Sequence, residues 1–507
     1  EVATRMALGS GRFAVVRQLM VESLTLALIG GALGVCVGWL GLEGLQVVAG
    51  ERFSDWQRVS MDGRVLGMCA GLSVLTSLLF GLVPALQASR LDVQLALVEG
   101  GSRSIAGGAR HWTRRGLVVA EVALGVVLLV SAGLLVRTFV NLRSIDPGFS
   151  PDGLVTATVS LLDTRYPGPV EVNQLFDRTL EQLRATPGVE SAAVSLGLPF
   201  ERVLNMGFRY PEEVDGRTAS VMYATPEFFD TLGVITREGR IFRDGDRLES
   251  RPVVVVNEAF AKYYSKDRAV LGRLLRLSGV EREVVGVVGN VQHRPGFTVS
   301  GMIPGPIVAA PLIYVPASQM NAGIASAHLW FGPVFTVRAS TPAVAEQALT
   351  TALSASDPLL PVGAIRQMSR VRAEAIAMEE MLMTLVGTLA VVALLLTALG
   401  LHGVIAHSVA ERTREFGIRM ALGATAADTV RVVTVGGLGL AALGAVLGAA
   451  LAVPASSLVA SSLYGVAERD VMTYVIAAVF LLVVAGIASL LPALKLLRLD
   501  PAVTLRS

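Results

Sequence analysis

Six apolar runs, at about 21–42, 65–86, 116–137, 381–403, 433–455 and 472–494, divide the chain. Each approaches the roughly 20 residues that a helix needs to cross a hydrocarbon core. Lipid offers no partners to backbone N–H and C=O groups, so each run is expected to be helical. Between the third and fourth runs, 138–380 alternates as a soluble domain does. Leu154–Leu161 and Val189–Leu196 read as strands flanking a helix over 169–185, where Val172, Leu175, Phe176, Leu180 and Leu183 share one face. Pro187-Gly188 supplies the turn. Further strands are expected at Val253–Val256, Glu283–Val288, Leu312–Val315 and Phe335–Arg338, with helices at 226–232, 257–265 and 343–356. Residues 290–311, broken by Pro295, Gly296, Gly301, Pro304, Gly305 and Pro306, read as an irregular loop. The pattern predicts an integral membrane α-helical protein with about six transmembrane helices and an α+β outer domain.

Orientation follows from the basic residues. Arg5, Arg12 and Arg17 precede the first run, and Arg90, Arg103, Arg110, Arg114 and Arg115 lie between the second and third. Arg412, Arg414, Arg419 and Arg431 lie between the fourth and fifth, and Lys495, Arg498 and Arg506 follow the sixth. Six crossings then place these segments in the cytoplasm, and 138–380, 43–64 and 456–471 outside. Gly100-Gly101-Ser102 and Gly107-Gly108 mark 87–115 as a flexible cytoplasmic linker. Gly30/Gly34/Gly38 and Gly444/Gly448 have the small-residue spacing that lets helices approach closely, either within one bundle or along a seam between halves.

Those halves are visible as a repeat. Glu1-Val2-Ala3-Thr4-Arg5-Met6-Ala7-Leu8-Gly9 returns as Glu415-Phe416-Gly417-Ile418-Arg419-Met420-Ala421-Leu422-Gly423, and Pro84-Ala85-Leu86 with Arg90-Leu91-Asp92 returns as Pro492-Ala493-Leu494 with Arg498-Leu499-Asp500. The offsets are 414 and 408, so two ordered motifs recur with one small deletion between them. The opening motif has a membrane helix before it only in its second copy. The chain is therefore expected to be a fragment lacking an N-terminal helix and another outer domain.

Composition adds exclusions. Of 507 residues, 52% are apolar and 17% charged, below the quarter usual for soluble proteins. A net charge of +2 on scattered Lys and Arg points to no nucleic-acid partner. Cys36 and Cys69, both in apolar runs, read as small buried residues and allow no disulfide or zinc framework. Neither a Gly-x-x-x-x-Gly-Lys-Ser/Thr phosphate loop nor His-Glu-x-x-His, Cys-x-x-Cys or Gly-x-Ser-x-Gly occurs, so no enzyme is expected. Glu22 and Glu121, as intramembrane carboxylates, are candidates for function, set against simple reach to headgroups or neighbouring polar groups. His402 and His407 read as helix-end histidines; His293 and His328 read as incidental. Glu212, Glu213 and Asp215 read as a solvated loop face. In 411–424, Arg412, Arg414, Glu415 and Arg419 form a polar surface while Phe416, Ile418, Met420 and Leu422 offer apolar anchors. Such a helix suits either lipid headgroups or a groove on a cytoplasmic protein.

The Glu-x-x-x-Arg-Met-Ala-Leu-Gly motif and the closing Pro492–Arg506 segment resemble the FtsX-like permeases of the macrolide-exporter (MacB) class of ABC transporters. The outer domain is similar to that family's periplasmic core through Ala224–Gly233, Gly239-Arg240-x-Phe242, Val253–Glu258 and Tyr314-Val315-Pro316. The duplication resembles the duplicated orphan permeases, with four helices and an outer domain per unit. The resemblance then implies these divisions: 1–98, the C-terminal part of a first permease unit; 99–115, linker; 116–137, the first helix of a second unit; 138–380, its periplasmic core; 381–507, its remaining helices. It also implies location in the bacterial inner membrane and no cofactor in this chain, ATP and magnesium belonging to a separate cytoplasmic ATPase dimer. That dimer is expected to grip Glu415, Phe416, Gly417, Ile418, Arg419, Met420, Leu422 and Gly423, and Glu1, Arg5, Met6, Leu8 and Gly9 in the first copy. Its ATP-driven closure would move the outer domain, a mechanism called mechanotransmission, to export an antibiotic, peptide or lipid-like substrate. A periplasmic adaptor or outer-membrane conduit is a further expected partner. The alternative implied by the family is a non-transporting regulator of a periplasmic cell-wall hydrolase or signalling partner.

Overall fold

The computed structural model describes residues 12–49, 61–89, 105–161, 164–265, 269–294, 297–298, 301–302, 307–411, 418 and 425–494. The chain divides into two units. One comprises Glu1–Leu134, Met383–Leu458 and Glu468–Ser507; the other comprises Leu135–Leu382 and Val459–Ala467. Three long helices come first: α1 (Arg12–Ala49), α2 (Gly63–Ser89) and α3 (Ile105–Ser144). The start of α3 corrects the expected linker. Residues 105–115 are helical despite Gly107-Gly108 and run without a break into the third apolar segment.

The second unit begins with β1 (Leu154–Val159), α4 (Pro169–Ala185), β2 (Val189–Leu196), β3 (Leu204–Arg209), β4 (Arg217–Ala224), α5 (Phe228–Leu232) and β5 (Thr236–Gly239). It continues through β6 (Val253–Asn257), α6 (Glu258–Phe260), β7 (Leu274–Leu277), β8 (Val280–Val288), β9 (Phe297–Thr298), β10 (Gly301–Met302) and β11 (Leu312–Pro316). It closes with β12 (Pro333–Ala339), α7 (Pro342–Ser356), β13 (Val362–Gln367) and α8 (Met368–Ala375).

Strand order resolves this unit into two parts. The sequence β2-β12-β1-β13 is antiparallel throughout, with α4 and α7 as the crossovers, which is the split β-α-β-β-α-β arrangement. Everything from β3 to β11 is inserted between its second and third strands. Within that insertion β11-β6-β8-β7-β3-β4 closes on itself, because β11 also pairs in parallel with β4. Closure leaves the ring without a free edge.

Local sequence explains the elements. Pro169 opens α4, and Val172, Leu175, Phe176, Leu180 and Leu183 are buried along one face as their spacing requires. Gly188 turns α4 into β2 at φ +87°, a conformation that costs other residues. Asn257 ends β6 and starts α6. Its Oδ1 accepts from Phe260 N and Leu312 N at 2.9 Å, and its Nδ2 donates to Ala310 O at 2.8 Å. In the Ala224–Gly233 segment, Thr225 pairs reciprocally with Val194, while Phe228 and Phe229 pack on Tyr314. That stretch is a core fastening.

The first unit adds α9 (Ala377–Glu411), α10 (Ala426–Val459) and α11 (Val471–Ala493). Among the described residues, five helical spans have the length and apolarity to cross a membrane: Val16–Gly44, Arg115–Ser144, Ala377–Ala410, Val430–Val459 and Val471–Ala493. The second apolar run is helical within α2, where Gly63–Leu78 forms a shorter apolar stretch. Val118, Val122, Ala123, Val126, Val130 and Leu134 form one buried face of α3. A Cβ at Gly125 would touch Thr397 of α9 and Leu481 of α11, and one at Gly133 would meet Thr473 of α11. A Cβ at Gly444 would lie 2.6 Å from Val122 Cβ and 2.9 Å from Val119 O; one at Gly448 would lie 2.6 Å from Ala123 O. Gly444 and Gly448 therefore pack α10 on α3 inside the second bundle, which removes the reading of them as a seam between halves. Cys36 and Cys69 are exposed on α1 and α2, correcting the expectation that they are buried.

Candidate functional site

The proposed coupling stretch falls mostly outside the described residues. Glu415, Phe416, Gly417, Arg419, Met420, Leu422 and Gly423 lie there, as do Glu1, Arg5, Met6, Leu8 and Gly9. Ile418 is helical and 46% exposed, so it is not buried in the bundle. After it, Thr425 caps α10: its Oγ1 accepts from Asp428 N, and Asp428 Oδ2 accepts from Thr425 N and Oγ1. These bonds hold the Asp428 carboxyl below the usual carboxylate range. The segment before α10 is thus followed by a fixed helix start.

Within the second unit, the points where the chain passes to and from its membrane spans are tied by arginines. The last turn of a helix leaves carbonyls without partners and carries partial negative charge. Arg372 Nη2 donates to the carbonyls of Arg143 and Ile145, 3.0 and 3.3 Å away at the end of α3. Arg294 Nη2 donates to Ala375 O, 2.7 Å away at the end of α8. Arg366 of β13 bridges Glu201 at 2.6 Å and Glu374 of α8 at 2.9 Å, and Arg370 also reaches Glu374. Burial alone would lower the Arg366 pKa; Glu201 and Glu374 outweigh it and hold it above the ordinary value. The loop between α10 and α11 belongs to the same unit. Tyr464 N donates to Thr138 Oγ1, and Asn141 Nδ2 donates to the carbonyls of Tyr464 and Gly465, all at 3.3 Å. Tyr464 and Gly465 therefore lie against the last turns of α3.

Other sequence candidates resolve differently. Glu121 packs against the backbone of α9 at Gly400, where a Cβ would collide with its carboxylate; Glu22 is exposed on α1. His328 is bonded to Tyr223 Oη at 2.7 Å, and burial lowers its pKa to about 4. His293 is 1% exposed, and burial likewise takes it to about 4, against the carbonyls of Leu198 and Glu201, which favour the protonated form. Glu213 and Glu212 are not simply solvated: they pair with Arg217 and Arg273 at the rim of an open cleft of about 1070 Å³. Both of its arginines are taken up by carboxylates and stacked on Tyr210. The arginine joints were not identified from sequence. Glu201 and Arg366 are 165 positions apart, and only the i,i+4 pair Arg370–Glu374 left a local signal.

Residues 116–353 match the MacB-like periplasmic core domain, and 387–501 match the FtsX-like permease C-terminal domain. The chain belongs to the FtsX-like, MacB-type ABC transporter permeases. The permease is 24% identical over 303 residues to the ABC transporter permease YknZ of Bacillus subtilis, covering 60% of this chain and 73% of that one. It is 35% identical over 144 residues to the macrolide export ATP-binding/permease protein MacB of Brucella abortus, 28% of this chain and 22% of that one. With MacB of Hahella chejuensis the identity is 23% over 335 residues, 65% and 48% of the two chains. The permease thus spans less than half the length of these MacB relatives. The periplasmic region of MacB from Actinobacillus actinomycetemcomitans aligns with 46% of the permease and 96% of its own chain, at 17% identity and a TM-score of 0.32.

Proposed function

We propose that this chain is the permease subunit of an ABC transporter in a bacterial inner membrane, driven by a separate cytoplasmic ATPase. The ATPase dimer engages Glu415–Gly423, with Glu1–Gly9 as the second grip. Its closure moves the helices, and the outer domain moves with them to export or extrude an antibiotic, peptide or lipid-like substrate. The observation that carries this reading is the set of arginine ties at Arg143, Ile145 and Ala375. A helix end fastened to the folded domain passes on a tilt, whereas a loose one absorbs it. The lack of a phosphate loop among the 507 residues supports placing ATP hydrolysis on a partner subunit.

The test is co-purification from native membranes with mass spectrometry of the bound proteins. A stoichiometric ATPase is expected, lost in the Phe416→Ala/Arg419→Glu double variant while membrane insertion persists. Recovery of a periplasmic hydrolase or receptor with no ATPase would replace export by the regulatory role. ATPase retention in the double variant would remove the coupling assignment.

A further inference from the structure

The cleft rimmed by Glu212 and Glu213 has one wall of uncommon build. The helix does not end with α6 at Phe260 but widens into a π-helical turn over Ala261–Ser265. Such turns are rare and occur frequently at functional sites. Lys262, Tyr263, Tyr264 and Ser265 all line the cleft. Two of the four are fastened inward. Tyr264 Oη donates to Thr218 O, and Ser265 Oγ lies 3.4 Å from Tyr210 Oη. Lys262 and Tyr263 stay exposed, Tyr263 to 66%.

These two side chains offer different chemistry. Phe208 packs on Tyr210, Phe260 and Tyr264 with ring centroids 5.9, 5.1 and 4.9 Å away, and Tyr263 stands nearly perpendicular to Tyr264 at 4.8 Å. The Tyr263 ring is thus held by a packed aromatic cluster while most of its surface meets solvent, which makes it a flat apolar platform. Lys262 is the cation that the local carboxylates leave over. Glu258, one helical turn before it, pairs with Arg237; Glu213 pairs with Arg217, and Glu212 with Arg273. No carboxylate among the described residues lies within ion-pair distance of Lys262. Ala259, Ala309 and Pro311 add wall without charge.

We infer that this cleft binds a planar, apolar anion of drug size, with its acidic group on Lys262 and its flat body on Tyr263. The cleft volume of about 1070 Å³ is ample, since pockets for such ligands run to roughly 1,000 Å³. The sign of the charge follows from the pairing. A cationic ligand could reach Glu212 and Glu213 only by breaking their bonds to Arg273 and Arg217, which are themselves stacked on Tyr210. An anion meets Lys262 without breaking any of these pairs. The site goes beyond the transport reading and does not depend on it, because binding needs no ATPase.

The test is fluorescence binding to the full chain in lipid nanodiscs, with empty nanodiscs as the blank. The probes are dansylglycine, a planar apolar anion, and dansylamide, which carries the same rings without the charge. Dansylglycine is expected to bind saturably and roughly fivefold more tightly than dansylamide, about what an exposed ion pair adds. Lys262→Gln should erase that preference and Lys262→Arg should keep it, while Tyr263→Ala should weaken both probes several-fold. Arg184→Gln, on α4 and outside the cleft, should bind as the wild type does. Both cleft side chains are exposed, so all variants should keep the wild-type unfolding temperature. No saturable binding above the blank, equal affinity of the wild type for the two probes, or dansylglycine binding that Lys262→Gln or Tyr263→Ala leaves unchanged overturns the site. Lys262→Arg binding no better than Lys262→Gln overturns the assignment of an anion.

Discussion

Arg366 Nη2 lies 2.6 Å from Glu201 Oε1, joining the last strand of the outer domain to the loop that follows its second strand. Glu374 holds the other arm of the same guanidinium, so one cation serves two carboxylates. Removing it leaves Glu201 without that partner and Glu374 with Arg370 alone, at a half-buried site where charge-assisted bonds are worth roughly 1.5–3 kcal/mol. Arg366→Gln should therefore lower outer-domain stability by about 2–3 kcal/mol, measured by thermal unfolding in detergent. Arg276→Gln, which loses only the exposed pair with Glu281, should change it by less than about 1 kcal/mol. Equal effects from the two variants would refute the special standing of Arg366.

Acid should weaken the same domain through His293. Burial depresses its pKa to about 4, whereas an unfolded histidine titrates near 6.5. The unfolded state therefore binds the proton first. The stability due to the neutral ring is complete above about pH 6.5, declines as pH falls toward 4, and is flat below that. The full span is worth about 3 kcal/mol. Unfolding temperatures measured down this range should fall less steeply for His293→Gln, and parallel slopes would mean that the ring is not buried as described.

Much of the outer domain was legible because its signals are local. Helix 169–185 and strand 189–196 lie where apolar spacing and Pro187-Gly188 place them, and Val253–Val256 and Leu312–Val315 are cores of observed strands. Strands β3, β4, β5, β7 and β13 were not expected, nor was the short β9–β10 pair inside the 290–311 segment read as an irregular loop. β5 is exposed throughout and β13 is exposed or half-buried, so neither carries a full period-two alternation. Gly207 interrupts β3, and β7 is only four residues long. The helical start at Ile105 was hidden by two glycines that lower helix propensity without forbidding a helix. Of the proposed coupling stretch, sequence supplied the motif, and only Ile418 falls among the described residues.

Asn257 should be among the least replaceable polar residues of the outer domain. It is fully buried, and its one amide serves two backbone N–H groups and one carbonyl. Asn257→Ala removes the cap of α6, about 1 kcal/mol, and leaves Leu312 N and Ala310 O without that partner. A total loss of roughly 3 kcal/mol is expected, read as a lowered unfolding temperature and faster proteolysis at the end of β6. Asn257→Asp keeps both accepted bonds but loses the donated one and buries a charge, so it should not restore stability.

Gly448 sets the separation of α10 from α3. A Cβ there would lie 2.7 Å from Val126 Cβ and 2.6 Å from Ala123 O, too close to a backbone atom for a rotamer change to relieve. A leucine must push the helices apart, forfeiting the close packing that holds them in lipid. Gly439 on the same helix has open space around it. Gly448→Leu should therefore reduce the monodisperse fraction in detergent and lower the unfolding temperature, whereas Gly439→Leu leaves both close to wild type. The contrast separates steric loss from the general effect of adding a large side chain, because both substitutions replace the same residue type within one span. If Gly448→Leu behaved like Gly439→Leu, α10 would not rest on α3 through this face.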